Sequence, residues 1–274
     1  MDTSILFAYD PMRMHKVYLD CISTLDTIEL MLWDLEYKQK IGNEGAIDTL
    51  RAILIGIKNF FLNIIDLIKE FFKRLNSNNT NIAKVANQHL SRISSYKYDP
   101  ELILRITPER ELAERINILN DVAFNLATSI DDERDFERLV DKCRKLTNLG
   151  YRFVNDRLQG SSNLQTEQRT LKEGGWDIKN LSDKLSTMIQ ISTMMNKLES
   201  VKLRIERGSV QATREIEVLI AGDDVAEAAK RREALNSMAI RTNMLLSIIH
   251  ILQNEINVTF QQLNYIANAL SSAI

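Results

Sequence analysis

Residues 235–270, LNSMAIRTNMLLSIIHILQNEINVTFQQLNYIANAL, place apolar side chains alternately three and four positions apart without a slip. Leu235, Met238, Leu245, Ile249, Leu252, Ile256, Leu263, Ile266 and Leu270 form the row, with Thr242 and Thr259 as its polar members. That spacing is the seam of a coiled coil or of a long bundle helix. A second row, Ile240, Met244, Ile248, Ile251, Val258 and Tyr265, widens the apolar face beyond a two-stranded seam. A helix carrying both rows packs against at least two neighbours, in its own chain or another.

Working back from this tract, the chain contains no proline between Glu109 and Ile274, and only Pro11, Pro100 and Pro108 before it. Long helices follow from that composition. The expected class is all-α: a helical bundle with a long, coiled-coil-like helix at its carboxy terminus. The periodicity predicts helices over about Pro11–Lys40, from the glycine pair Gly42 and Gly45 to the polar run NSNNTN at 76–81, and over AKVANQHLSRI after a cap at Asn79 or Thr80. Thr107-Pro108 starts another, running to about Ile130, and Asp131-Asp132 starts one whose stripe runs from Phe136 through Cys143 to Phe153. Further helices are read from Asp177 to a stop at Gly208, and from Val210 to Ala221. LILRI, 102–106, is the one short stretch with strand character. Gly174-Gly175 within NLQTEQRTLKEGGWDIKN marks the expected boundary, giving an amino-terminal helical domain 1–160, a linker 161–176 and a carboxy-terminal hairpin or bundle 177–274.

The most apolar stretch, Ile41–Asn79, carries Lys58, Asp66, Lys69, Glu70 and Lys73 among its aliphatic and aromatic residues. On a wheel of about 100° per residue the charges gather in one arc. The opposite arc holds Ile57, Phe60, Phe61, Ile64, Ile68, Phe71 and Phe72, while Ala52, Ile55 and Leu62 are the apolar residues on the polar side. Charge recurring every two turns argues against a spanning helix. The aromatic face is then a core surface, a docking surface or an interfacial membrane surface.

Composition narrows the function classes. Lys plus Arg number 35 against 37 Asp plus Glu, so no global field draws the chain to nucleic acid, and no specific nucleic-acid binding is expected. Cys21 and Cys143 are the only cysteines, a usage that fits a reducing compartment, and each reads as a small buried apolar residue. The amino terminus has no apolar run of signal-peptide length, so secretion by a signal peptide is not expected. His15, His89 and His250 lack a partner ligand at one-turn spacing, and no Cys-x-x-Cys or phosphate-cradling glycine loop occurs. No catalytic residue, metal or cofactor is expected, and the acidic run DDERDFER, 131–138, reads as a helix start with surface pairing.

Asn43-Glu44-Gly45 followed by IKNFFLNIIDLIKEFFKRL, 57–75, resembles the amino-terminal region of internal head and other virion proteins of large tailed bacteriophages. The resemblance implies a non-enzymatic structural protein that assembles through helical faces with itself or with other virion proteins, in a virion or host cytoplasm. It also implies maturation by a protease cutting after glutamate and before a small residue. Glu44-Gly45 fits the cut, with Gly42 where such sites often carry Leu or Ile; Glu173-Gly174, preceded by Leu171, fits the short pattern better. A membrane-active amphipathic protein and a cytosolic scaffold or adaptor are the alternative readings.

Overall fold

The computed structural model describes residues 24–25, 27–35, 46–128, 133–146, 152–154, 157–159, 164–222 and 225–272. The protein is all-α, as the periodicity implied. Helix α1 is described at 24–25 and 27–35; α2 spans Ala46–Arg92, α3 Glu109–Thr128, α4 Glu133–Leu146, α5 Ile178–Asn196, α6 Glu199–Ala221 and α7 Val225–Ser271. Among the described residues, four short strands punctuate them: β1 Ile103–Ile106, β2 Arg152–Val154, β3 Arg157–Gln159 and β4 Glu167–Thr170. β1 pairs antiparallel with β4, Ile103 opposite Thr170, and β2 pairs antiparallel with β3.

The helix order departs from expectation in three places. The polar run 76–81 does not end a helix, and no new helix is capped at Asn79 or Thr80, because α2 continues through it. The reason is that its asparagines find partners: Asn79 is fully buried and donates from Nδ2 to Leu75 O at 2.9 Å and to Gln253 Oε1 at 2.8 Å, while Asn78 donates to Asn257 at 2.6 Å. The break expected at Gly208 falls instead at Lys197-Leu198, where tight bonds from Lys197 N to Met194 O and from Leu198 N to Met195 O turn the chain. Gly208 lies inside α6, and a Cβ there would stand 2.6 Å from Met238 Cε. The helix read through Phe153 stops at Leu146, and Phe153 lies in β2.

Other expectations hold. LILRI supplies β1, Asp177 caps α5 by accepting from Asn180 N at 2.6 Å, and Gly222 follows the end of α6. α3 begins at Glu109, just past Pro108, but the Thr107 hydroxyl donates to Gln165 O rather than capping it.

Two compact units emerge, neither contiguous in sequence: described residues 75–198 with 248–272, and described residues 24–74 with 199–247. This division does not follow the expected order of 1–160, linker and 177–274, since each of the two 47-residue helices contributes a segment to both units. In the first unit, Asn79 meets Gln253 and His89 meets Asn264, so residue numbers rise together and the α2 and α7 segments run parallel. In the second, Lys58 pairs with Glu217 and Lys69 with Glu206, so α6 runs antiparallel to α2. Contacts of Glu215 with Arg231 and of Gly208 with Met238 set α6 antiparallel to α7, and those of Ile28 with Gly56 and Asp34 with Thr49 set α1 antiparallel to α2.

The described part of the expected linker, residues 164–176, is ordered by packing. Glu167–Thr170 forms β4, and Trp176 is 1% exposed, its indole N–H donating to Thr107 O at 2.9 Å. A Cβ on Gly174 would lie 2.8 Å from Ile106 Cδ1, and Gly175 has φ +71°, so the pair serves close approach and a left-handed turn rather than freedom. Trp176→Phe keeps the packing and leaves the Thr107 carbonyl without its buried donor. It is expected to cost about 1–2 kcal/mol, read as a lower urea midpoint at unchanged slope.

Candidate functional site

The aromatic face of α2 is core. Ile57, Phe60, Phe61, Ile64, Ile68, Phe71 and Phe72 are all buried, with Phe60 and Phe61 in edge-to-face contact at 5.3 Å and Phe71 and Phe72 likewise. The docking and membrane readings of that face are corrected accordingly: its apolar surface is consumed within this chain. The α7 seam has the same fate. Leu235, Leu245, Ile249, Leu252, Ile256, Leu263, Ile266 and Leu270 are buried and Met238 half-buried, so the seam is filled by neighbours in the same molecule. Ala226–Ser271 is long and apolar enough to cross a membrane by length and composition, but 56% of its most apolar window is buried inside the protein, as a core helix requires.

Of the two processing candidates, Glu44-Gly45 lies outside the described residues. Glu173-Gly174 sits in a closed turn: the Glu173 carboxylate accepts from Thr170 N at 2.9 Å, Glu173 N donates to the Thr170 hydroxyl at 3.1 Å, and Gly174 O accepts from Glu109 N at 2.7 Å. These Thr170 bonds, the backbone one foremost, hold the Glu173 carboxyl below its usual range. Leu171 is fully buried, so a protease cannot extend this strand without first unfolding it. The turn therefore does not present the cut that its four-residue pattern suggested.

The titratable interior groups are committed to structure. His89, on the last turn of α2, stands between the Tyr96 hydroxyl and Asn264 Oδ1, 2.7 Å from each. Neutral imidazole satisfies both by donating from Nε2 and accepting at Nδ1. Arg115 of α3 and Glu255 of α7 form a pair with side chains 9% and 1% exposed. His250 is half-buried, and His15 and Cys21 lie outside the described residues. Among the described residues no group of three His, Cys, Asp or Glu side chains could hold a metal ion.

Cys143 is buried, and that burial, reinforced by the charge of Glu255, pushes its thiol up to about 12. A thiol so placed is not a nucleophile near neutrality. Its folded value exceeds its unfolded value, so the native state retains a proton that the unfolded chain loses above about pH 9. Stability from this group is intact below that pH and falls as pH rises toward 12. Cys143→Ala should flatten the alkaline arm of the stability curve, and thiol reagents at pH 8 should modify Cys143 only at the rate of unfolding.

Of the exposed large apolar side chains among the described residues, the two most exposed lie on α1. Leu25, Ile28 and Leu35 face inward, whereas Leu30 and Trp33, one turn apart on the outward side, are 73% and 74% exposed. At about 100° per residue, Glu29 and Asp34 flank this pair on its two sides. The signal was present in the sequence as two large apolar residues falling off the inward stripe. A second accessible feature is a cleft of about 630 Å³ whose described lining lies on α6: Leu203, Glu206, Arg207, Val210, Gln211 and Arg214. Leu203, Arg207, Val210 and Arg214 recur four, three and four apart, on the side opposite the buried Val201, Ile205, Ala212 and Ile216. Comparison of the chain with protein-family models, with curated proteins and with solved structures finds no match.

Proposed function

We propose that this protein is a non-enzymatic structural component that works by association, with further copies of itself or with other virion proteins, as in the bacteriophage virion and internal head proteins that its Gly42–Leu75 region resembles. The observation that carries the reading is the exposed Leu30–Trp33 pair on a helix whose other side is buried. A tryptophan held three-quarters in water contributes nothing to its own fold that a polar residue would not, and it is the side chain that most often anchors a protein interface.

The interior supports the same reading. Cys143 is kept protonated, His89 is engaged on both ring nitrogens, and Arg115 and Glu255 are paired with each other, so these groups act on the fold.

Mass spectrometry of purified particles from the native source tests the virion assignment: the chain is expected among particle proteins at stoichiometric copy number. Its absence from particles, with the intact protein recovered in the host soluble fraction, would transfer it to the scaffold or adaptor class.

A further inference from the structure

The packing of α2 in the first compact unit is partly polar, and its hydrogen bonds leave strong acceptors unmatched. We infer that Asn79 of α2 and Asn196 of α5 hold an internal water molecule between them, which donates to both carboxamide oxygens. The site lies inside one compact unit and is independent of the associative function proposed above.

The amide network fixes which atom of Asn79 is short of a partner. Its Nδ2 donates to Leu75 O at 2.9 Å and to Gln253 Oε1 at 2.8 Å, so both amide hydrogens are used. Gln253 in turn donates from Nε2 to Asn257 Oδ1 at 3.2 Å, and the same oxygen accepts from Asn78 Nδ2 at 2.6 Å. Turning the Asn79 amide over would set its oxygen against the Leu75 carbonyl, whatever the rest of the network did, so chemistry assigns the orientation. Oδ1 is then left with neither partner, in a side chain that is 0% exposed, and no described residue donates to it. A buried amide oxygen without a donor has given up its hydration for nothing, which native interiors rarely tolerate.

α5 brings the same deficit to the same place. Asn196 donates from Nδ2 to Thr80 Oγ1 at 3.4 Å, which seats it on the α2 residue next to Asn79. Its Oδ1 is likewise buried with no described donor. Ser192 lies one turn back on α5, is fully buried, and its hydroxyl has no described partner. Two acceptors cannot satisfy each other, and the serine can supply one hydrogen at most. A water molecule supplies two and can accept from Ser192, which gives the three bonds that buried waters commonly make. A hard cation does not suit this set: it gathers about six to eight oxygens, carboxylates among them. Here the oxygens are neutral, and Glu255, a buried carboxylate of the same unit, is paired with Arg115.

Nuclear Overhauser spectroscopy on the intact protein, labelled with nitrogen-15 in its asparagines, tests this with water itself as the probe. Cross-peaks from water to the side-chain amide protons of Asn79 and Asn196 are expected, with the sign of a bound water; rotating-frame spectra separate them from proton exchange. Asn196→Leu, at a half-buried position, should abolish the cross-peak at Asn79 or reduce it severalfold while circular dichroism stays unchanged. Ser192→Ala, which keeps both acceptors, should weaken it less; should Asn196→Leu lose helix, Ser192→Ala carries the test. A folded wild type with no cross-peak at either amide overturns the inference. So does a cross-peak at Asn79 that neither variant changes, because the water would then not be shared with α5. Amide shifts at Asn79 and Asn196 that move when potassium replaces sodium would place a cation there instead, and the inference fails.

Discussion

Arg115→Leu is expected to destabilise the protein by about 3–5 kcal/mol, and Arg115→Leu combined with Glu255→Leu to recover most of that loss. The single substitution leaves a carboxylate that is 1% exposed without the guanidinium that holds it through bonds from Nε, at 3.0 Å, and Nη2. Bringing both charges out of water costs several kcal/mol each, and the pair repays that only while both members are present. The double substitution removes both costs together and fills the site with apolar volume. Urea unfolding of the four members of the cycle checks the result. Near-additive losses, with the double variant less stable than either single one, would show that the pair does not act as a unit. A second readout follows from the charge of Glu255 acting on Cys143: Glu255→Gln should lower the thiol pKa.

Phe60→Ala is expected to cost a similar amount, about 3–5 kcal/mol, through lost transfer energy and the cavity left among Phe61 and its aliphatic neighbours. Phe60→Asp should exceed it and abolish cooperative folding, because a carboxylate with no partner would sit where the native ring is 0% exposed. Flotation with liposomes is the matching experiment: the folded wild type should remain unbound. A Phe60→Asp protein that kept its helicity and urea midpoint while losing a liposome affinity of the wild type would return the α2 face to the membrane reading.

The helices were legible where apolar spacing was regular. The α7 seam from Leu235 to Leu270 and the aromatic arc from Ile57 to Phe72 were read as single faces, and both faces are buried. The errors cluster where residue type and environment disagree. Asn78 and Asn79 look like a stop in the string, yet Gln253 and Asn257 on α7 supply the partners that allow the helix to continue. Gly174-Gly175 looks like slack, yet a Cβ on Gly174 would crowd Ile106, and Gly175 holds a left-handed turn. Gly208 looks like an end, and it is the position where α6 makes room for Met238. In each case the deciding partner lies far away in the sequence, and a local propensity of about 1 kcal/mol is outweighed by burial.

By itself, then, the sequence determined the class and the inward faces, since periodicity of 3.6 residues fixes which side chains a helix can bury together. Only the tertiary structure decided what covers each face. An apolar stripe states a demand for burial without naming its supplier, and here the same molecule supplies it for α2 and α7 while leaving Leu30 and Trp33 in water. The tertiary structure likewise decided that the compact units are discontinuous, because two 47-residue helices tie together segments that no linear reading places side by side.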